Sequence, residues 1–465
     1  MSEKLSAKQY AEQLLYKPEY AADKQPDVKE KAAAFAEGYK NFLDHAKTER
    51  EAAATSEQML LAAGYKPFEP KKTYAPGEKI YFIQEHKAVV AATIGQKPFE
   101  EGFRLVIAHI DSPRLDLRPN PLYESDHLSY FKTHYYGGIR KYQWGTMPLA
   151  IHGVFTRADG SSMSFSVGED ENDPVFCITD LLPHLGAEQN DRKLSDGIKA
   201  EELNVLIGSD AVEEEDVKEA VKLNTLILLH EKYGITERDF TRAEIEVVPA
   251  HKARDVGFDR SMVGGYGHDD RVDAYPALVA EIETKDPMHT TVCVLTDKEE
   301  IGSDGVTGMQ SRAFETFMGD LCRAQDVLLD ECFENSVCLS ADVCNAFDPN
   351  YPEVSEKRND ARANCGFALV KYTGARGKSG TSDATAELMA RIRCIFDKAG
   401  IIWQTGQLGR VDQGGGGTVA MYLANRNIDT VDAGVPVLSM HAPFECIAKL
   451  DLYMAYKGFG AFYKD

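Results

Sequence analysis

The sequence predicts an α/β protein in which a mixed, mainly parallel sheet is sandwiched by helices and interrupted by a β-rich insertion. Three observations carry this expectation. Stretches with apolar residues at helical spacing alternate with short apolar runs, the pattern of strands joined by helical crossovers. Several of those runs end abruptly on a carboxylate or a histidine, and open sheets of this kind bind ligands at the carboxyl ends of their strands. Between residues 116 and 242 the texture changes to short alternating runs with glycine turns, which reads as a separate antiparallel domain. The expected division is a discontinuous domain over 1–115 and 243–465, and a β-rich domain over 116–242. A chain of 465 residues exceeds the size at which one core usually stops growing, so two domains are the default.

In chain order, residues 28–49 place Ala33, Phe35, Tyr39, Phe42 and Leu43 on one helical side, and a second short helix is expected over 55–64 behind a Thr or Ser cap. Residues 79–94 read as a hairpin. The run from Arg104 ends on His109 and Asp111, a spacing that puts both side chains on the same side of an extended chain. One of them could then bind a metal while the other orients it, although a lone histidine there is more often a packed core residue. Within the β-rich stretch, SMSFSVG and the longer run before it read as antiparallel strands, followed by an acidic helix over 212–233. His184, in LLPHLG, falls in a loop, where a structural role is the default.

After a glycine-rich turn come Asp269 and Asp270, just ahead of a helix whose apolar face includes Tyr275, Leu278 and Val279. Capping accounts for one aspartate but does not need an acidic neighbour. The apolar run TTVCVLTD then leads into Glu299 and Glu300. Adjacent carboxylates at a strand end cost repulsion and desolvation unless a cation sits between them, a solvated loop being the alternative. A helix over 312–331, a strand ending on Asp342, a capped helix over 382–399 stopped by Gly400, and an apolar strand ending on His441 follow before a C-terminal helix. The glycines of DQGGGGT, Gly415 and Gly416 among them, suit close approach of a substrate backbone; a phosphate cradle is disfavoured because no Gly-Lys-Ser/Thr follows.

A net charge of -22, from 74 acidic against 52 basic residues, opposes nucleic-acid and anionic-membrane partners and favours cationic or zwitterionic ones. With 43% hydrophobic and 27% charged residues and no apolar run near the roughly 20 residues that span a bilayer, a soluble globular protein is expected. The first residues, MSEKLSAKQYAEQLLYKPEY, hold no apolar signal core, so the expected location is the cytoplasm. The nine cysteines form no CxxC pair, and Cys293, Cys338 and Cys446 lie in strand- or core-like surroundings, which favours reduced buried thiols.

His109, Glu299, Glu300, Asp342 and His441 all stand at expected strand ends, and Asp269 stands at a loop-to-helix start that could face them. Two histidines and three carboxylates, one of them shared, suit two zinc-like ions about 3.5–4 Å apart and leave one glutamate free to act as a base.

At these residues the sequence resembles the aspartyl aminopeptidase and vacuolar aminopeptidase I family of dizinc metallopeptidases. The similarity covers nearly the whole chain and is carried by AHIDSPRLDLRP, YGGIRKYQWGTMPLAIHGVF, GHDDRVDAYPAL, TDKEEIGSDGVTG, SADVCNAFDPNY and MHAPFE, in the family's order. It implies the dizinc exopeptidase fold, with His109 and Asp342 on one metal, Glu300 and His441 on the other, Asp269 bridging both, Glu299 as general base and Asp111 orienting His109. In the wider clan the peptide after the bridging aspartate is cis, here Asp269 to Asp270. The resemblance also implies two divalent ions per subunit, zinc by family, and removal of N-terminal residues from peptides with a free N-terminus. It makes the insertion a dimerisation domain within a tetrahedral dodecamer, and His184 is the best match to a histidine that reaches a neighbour's active site.

Departures concern specificity. Where aspartyl enzymes usually carry histidines after the SAD strand, this chain has Asn345 and Asp348, and its 371–383 segment differs. Preference for acidic N-terminal residues therefore stays open, with Lys371 the candidate partner for an acidic side chain. The competing readings are a dizinc deacylase, a peptidase of other specificity, and a non-catalytic oligomeric scaffold, against which the intact Glu299 argues.

Overall fold

The computed structural model describes residues 5–25, 27–157, 159–214 and 216–465. A nine-stranded mixed sheet forms its centre, in the order Lys66–Pro67, Lys79–Gln84, Ala88–Thr93, Thr291–Thr296, Arg104–His109, Val337–Ser340, Asp429–Gly434, Phe367–Val370 and Trp403–Thr405. The four middle strands, from Thr291–Thr296 to Asp429–Gly434, are parallel neighbours, so their carboxyl ends emerge on one edge. Antiparallel pairings flank them. The middle strands are mostly apolar and buried at every residue but Asp429, because both faces are covered. In Arg104–His109, Val106 and Ala108 pack towards the helices Val28–His45, His268–Glu283 and Lys449–Phe462, while Leu105 and Ile107 face Phe314, Phe317 and Leu321 of the helix Ala313–Ala324. The two-residue period of a strand thus feeds two separate cores.

A second, wholly antiparallel sheet of six strands runs Ser162–Val167, Leu149–Thr156, Ala243–Pro249, Arg114–Ser125, Leu128–Tyr136 and Val205–Gly208. It has its own apolar core, including Trp144, Phe155, Phe240 and Val247. The strand Ala243–Pro249, just beyond residue 242, belongs to this sheet. A small five-stranded sheet of Arg254–Val256, Met262–Gly265, Glu445–Ala448, Pro436–Leu438 and Cys344–Asn345 completes the architecture. All nine cysteines are unpaired. Among the described residues no helix is long and apolar enough to cross a membrane.

Four expectations are corrected. The helix expected over 55–64 spans Glu49–Ala62, because Thr48 and Glu51 form a reciprocal capping box that starts it earlier. The acidic helix begins only at Ala220: Glu213, Glu214 and Asp216 crowd like charge ahead of it, and Glu219 takes a left-handed backbone, φ 53°. The helix expected over 312–331 is two helices, Ala313–Ala324 and Leu329–Glu334, divided where Asp326 turns to φ 60°. The apolar run towards His441 is not one strand. It leaves the large sheet after Gly434, where Val435 N donates to Asp273 Oδ2 (3.0 Å) and Pro436 has no N–H to continue the ladder, and Pro436–Leu438 joins the small sheet instead. His441 therefore sits in a turn at φ 65°.

Candidate metal centre

The carboxyl edge of the four parallel strands supplies most of the site. His109 is the last residue of its strand, and Asp342 follows Val337–Ser340 by two positions. After Thr296 the chain turns at Lys298, φ 70°, into a single helical turn, Glu299–Ile301, which aims both glutamates at the same place. Asp269 and Asp270 enter from the start of the helix His268–Glu283, where both have non-helical backbones and their shared peptide is cis. His441 comes over from the small sheet.

Asp269 stands at the centre. Its Oδ1 lies 3.1 Å from His109 Nε2 and its Oδ2 lies 3.1 Å from His441 Nε2, while Glu300 Oε1 is 3.6 Å from His441 Nε2. The donor atoms of His109, Glu299 and Asp342 lie within 4.8 Å of one another, as do those of His109, Asp269 and Glu300. One carboxylate thus turns an oxygen towards each of two histidines.

The electrostatics suit a site for cations. Burial, reinforced by Asp269, pushes the Glu300 carboxyl far above the ordinary carboxylate range, and burial with the Glu299 charge does the same to Asp342. Burial also pushes Glu299 up to about 7. Burial opposes charge on His441, but its hydrogen bond to Asp269 and the Glu300 field outweigh that and hold it up at about 11. So many acidic groups cannot all ionise in a dry site without cations among them. Glu300 Oε1 is moreover buried with no hydrogen-bond partner among the described residues, an orphaned acceptor of the kind a metal satisfies. Mixed imidazole and carboxylate donors suit zinc.

The surrounding shell is dense. His109 Nδ1 faces the Asp111 carbonyl (2.9 Å) and Oδ1 (3.2 Å), which directs Nε2 into the cluster. Asp111 also accepts from Tyr136 Oη (2.7 Å) and from the Glu299 and Glu300 N–H groups (3.1 and 3.2 Å), so it fixes a histidine and the glutamate turn together. Glu445 accepts the Asp269 N–H at Oε2 (3.1 Å) and the His441 N–H at Oε1 (2.7 Å). His441 Nδ1 donates to the Gly138 carbonyl (3.0 Å). Sequence reasoning passed over Tyr136 and Glu445. Glu445 lies in the MHAPFE segment and was within reach; nothing in the sequence singles Tyr136 out.

A cavity of about 670 Å³ opens over the cluster and is lined by Asp269, Glu299, Glu300, Asp342 and His441 together with Gly415 and Gly416. A side chain at Gly415, φ 105°, would collide with the Gly374 carbonyl, so the bare backbone there admits the neighbouring loop, whereas Gly416 faces open space. Lys371 is not in the lining; its ammonium pairs with Asp383 at 2.7 Å, while Arg376 and Lys378 of the same segment do line the cavity. His184 lies apart, exposed on the short turn Pro183–Leu185.

The family described as aminopeptidase I zinc metalloprotease (M18) matches residues 42–463. A probable M18 family aminopeptidase 1 of Clostridium acetobutylicum is 48% identical over 458 residues, 97% of this chain and 98% of that protein. Its counterpart in Thermotoga maritima is 45% identical over 433 residues, 92% of this chain and 95% of that one. The crystal structure of the M18 aminopeptidase from Thermotoga maritima superposes with a TM-score of 0.93 at 43% identity, covering 97% of this chain and 100% of that one. The S. cerevisiae mApe1 dodecamer shares the fold at 20% identity and a TM-score of 0.75, over 92% of this chain and 96% of that one. With a family match across nearly its whole length and relatives of this closeness, the chain belongs to the M18 family of zinc metalloaminopeptidases.

Proposed function

We propose that the enzyme removes N-terminal residues from peptides with two divalent ions, His109 and Asp342 holding one, Glu300 and His441 the other, Asp269 shared and Glu299 the general base. The observation that carries this reading is the pair of 3.1 Å approaches, one from each Asp269 oxygen to a different histidine. When bound, such ions polarise the scissile carbonyl and make water more acidic. The remaining work falls to the chain. Glu299, buried and pushed up to about 7, accepts a proton from the attacking water and returns it to the leaving amine. The acidic cluster draws in the free α-ammonium of the substrate, and Asp111 keeps the His109 ring in register. Rates on unblocked and N-acetylated peptides test the reading: an aminopeptidase cleaves only the former, and equal rates would favour a deacylase or another peptidase.

Glu299 also lies close to His109 and Asp342, which suits a ligand as well as a base. A preference for acidic N-terminal residues through Lys371 belongs to the same proposal; an acidic substrate would have to compete with Asp383 for that ammonium. We read the six-stranded sheet with its own core, residues 116–242 and the flanking strand Ala243–Pro249, as a dimerisation domain, and residues 1–115 with the remainder of 243–465 as the catalytic one. Leu181, Leu182 and Leu185 are exposed around His184, which supports a protein contact there. Dimers would build a dodecamer like the S. cerevisiae assembly. Nine unpaired cysteines suit a cytoplasmic enzyme acting on free peptides.

A further inference from the structure

The cavity over the cluster carries charge of both signs, and the two signs are kept apart. Arg376, Lys378 and Arg410 line it, in a chain whose net charge is -22. Among the described residues none of the three forms an ion pair with a carboxylate of the metal cluster. Lys378 is balanced by Asp383 at 2.7 Å. Among the described residues Arg376 forms no ion pair, and the Arg410 side chain donates only a long bond, 3.4 Å, from Nε to the Ser355 carbonyl, with Asp412 its nearest acidic neighbour in sequence.

Both arginines are presented by tied backbone. Ala375 and Ser379 exchange two hydrogen bonds, 3.1 and 3.0 Å, around Arg376, which takes φ 49° at the tip. Arg410 N donates to the Val354 carbonyl (3.1 Å) and its own carbonyl accepts from Gly414 N (2.7 Å). Gly374 N donates to the Gly416 carbonyl (2.6 Å), joining the two loops that carry the cations. The guanidinium groups thus keep fork-shaped donors free on a fixed support, the arrangement that recognises a carboxylate.

We infer that the cavity reads both ends of a short peptide: the acidic cluster takes the α-ammonium, and Arg376 and Arg410 take the terminal carboxylate, making short peptides with a free C-terminus the preferred substrates. The inference rests on the aminopeptidase reading of the same cavity. A volume of about 670 Å³ lies in the range that encloses a small ligand rather than a folded chain. All three cations are exposed, so the effect is a preference and not an absolute requirement.

The test compares kcat/KM for Leu-Gly-Gly and its C-terminal amide on the zinc-loaded enzyme. The free acid should be favoured about three- to tenfold at low salt, the scale of one or two exposed charge contacts, and the preference should shrink as salt rises. R376Q and R410Q should each lower the acid-to-amide ratio, and the double variant should bring it near one. A ratio near one in the parent enzyme at low salt overturns the inference and needs no variant to do so. A further arm uses an Asp-initiated tripeptide amide: if R376Q depresses its cleavage as strongly as that of Leu-Gly-Gly, the arginines read the N-terminal side chain and the inference is wrong. Cleavage of neither tripeptide by folded, zinc-loaded protein would instead refute the aminopeptidase reading itself.

Discussion

Glu299 and Glu300 are consecutive in one turn, and the proposed chemistry asks different things of each. Glu300→Gln removes a proposed charged ligand whose Oε1 has no hydrogen-bond partner among the described residues, so the protein should lose one metal or bind it far more weakly, and activity with it. Glu299→Gln keeps the shape and every proposed ligand, so metal content should survive while turnover falls by about 10²–10⁴-fold, the usual worth of a placed base. Metal analysis beside turnover separates the two, and a Glu299→Gln protein stripped of metal would exchange the roles. At this scale most of the proposed metal-binding residues were legible because they stand near the end of an apolar run, where a carboxylate or histidine has no packing reason to be, and Asp269 because a capping aspartate needs no acidic neighbour. Tyr136 was not, since it acts through a hydrogen bond to Asp111, on another strand, whereas Glu445 was within reach, four residues after the His441 whose N–H it accepts.

Among the elements, the strands leading to His109, Glu299 and Asp342 and the helix Val28–His45 followed from apolar spacing, because burial on one or two faces writes itself directly into that spacing. The path to His441 did not. A run of apolar residues cannot show that one amide is claimed by Asp273, and that claim is what moves the chain to another sheet. The contact between the helix Glu49–Ala62 and the six-stranded sheet was equally hidden. His152, buried in Leu149–Thr156, meets Glu51 Oε1 at 2.7 Å through Nδ1 and Glu169 Oε1 at 3.0 Å through Nε2, with Lys47 2.8 Å from Glu169. Burial opposes charge on His152, but the bonds to Glu169 and Glu51 outweigh it and hold it up at about 9. A histidine raised in the folded state stabilises it fully below its unfolded value near 6.5 and loses that contribution as pH climbs through the folded value. The melting temperature should therefore decline between about pH 6.5 and pH 9 through this link, worth a few kcal/mol at most. His152→Gln should flatten that decline; an unchanged slope would assign it to other groups.

For the whole molecule, the proposed assembly makes activity a property of more than one subunit. If His184 completes a neighbour's site, mixing His184→Ala subunits with Glu299→Gln subunits should restore measurable turnover through hybrid interfaces, and a mixture as inactive as either parent would count against a role across the interface. Within one subunit the site also joins separate layers. His109, Glu300 and Asp342 extend from the nine-stranded sheet, whereas Asp269 follows Met262–Gly265 and His441 follows Pro436–Leu438 of the small sheet. An ion gripped from both sides works as a rivet through two plates. Chelation should then abolish activity and also lower folding stability, and with it the melting temperature, by about 2.7 kcal/mol for each site previously held at a hundredfold excess over its dissociation constant, and should open residues 436–448 to protease first. Taking out the rivet would leave plates able to slip, so the cation that cuts peptides would also be the fastener that keeps the cutting edge aligned.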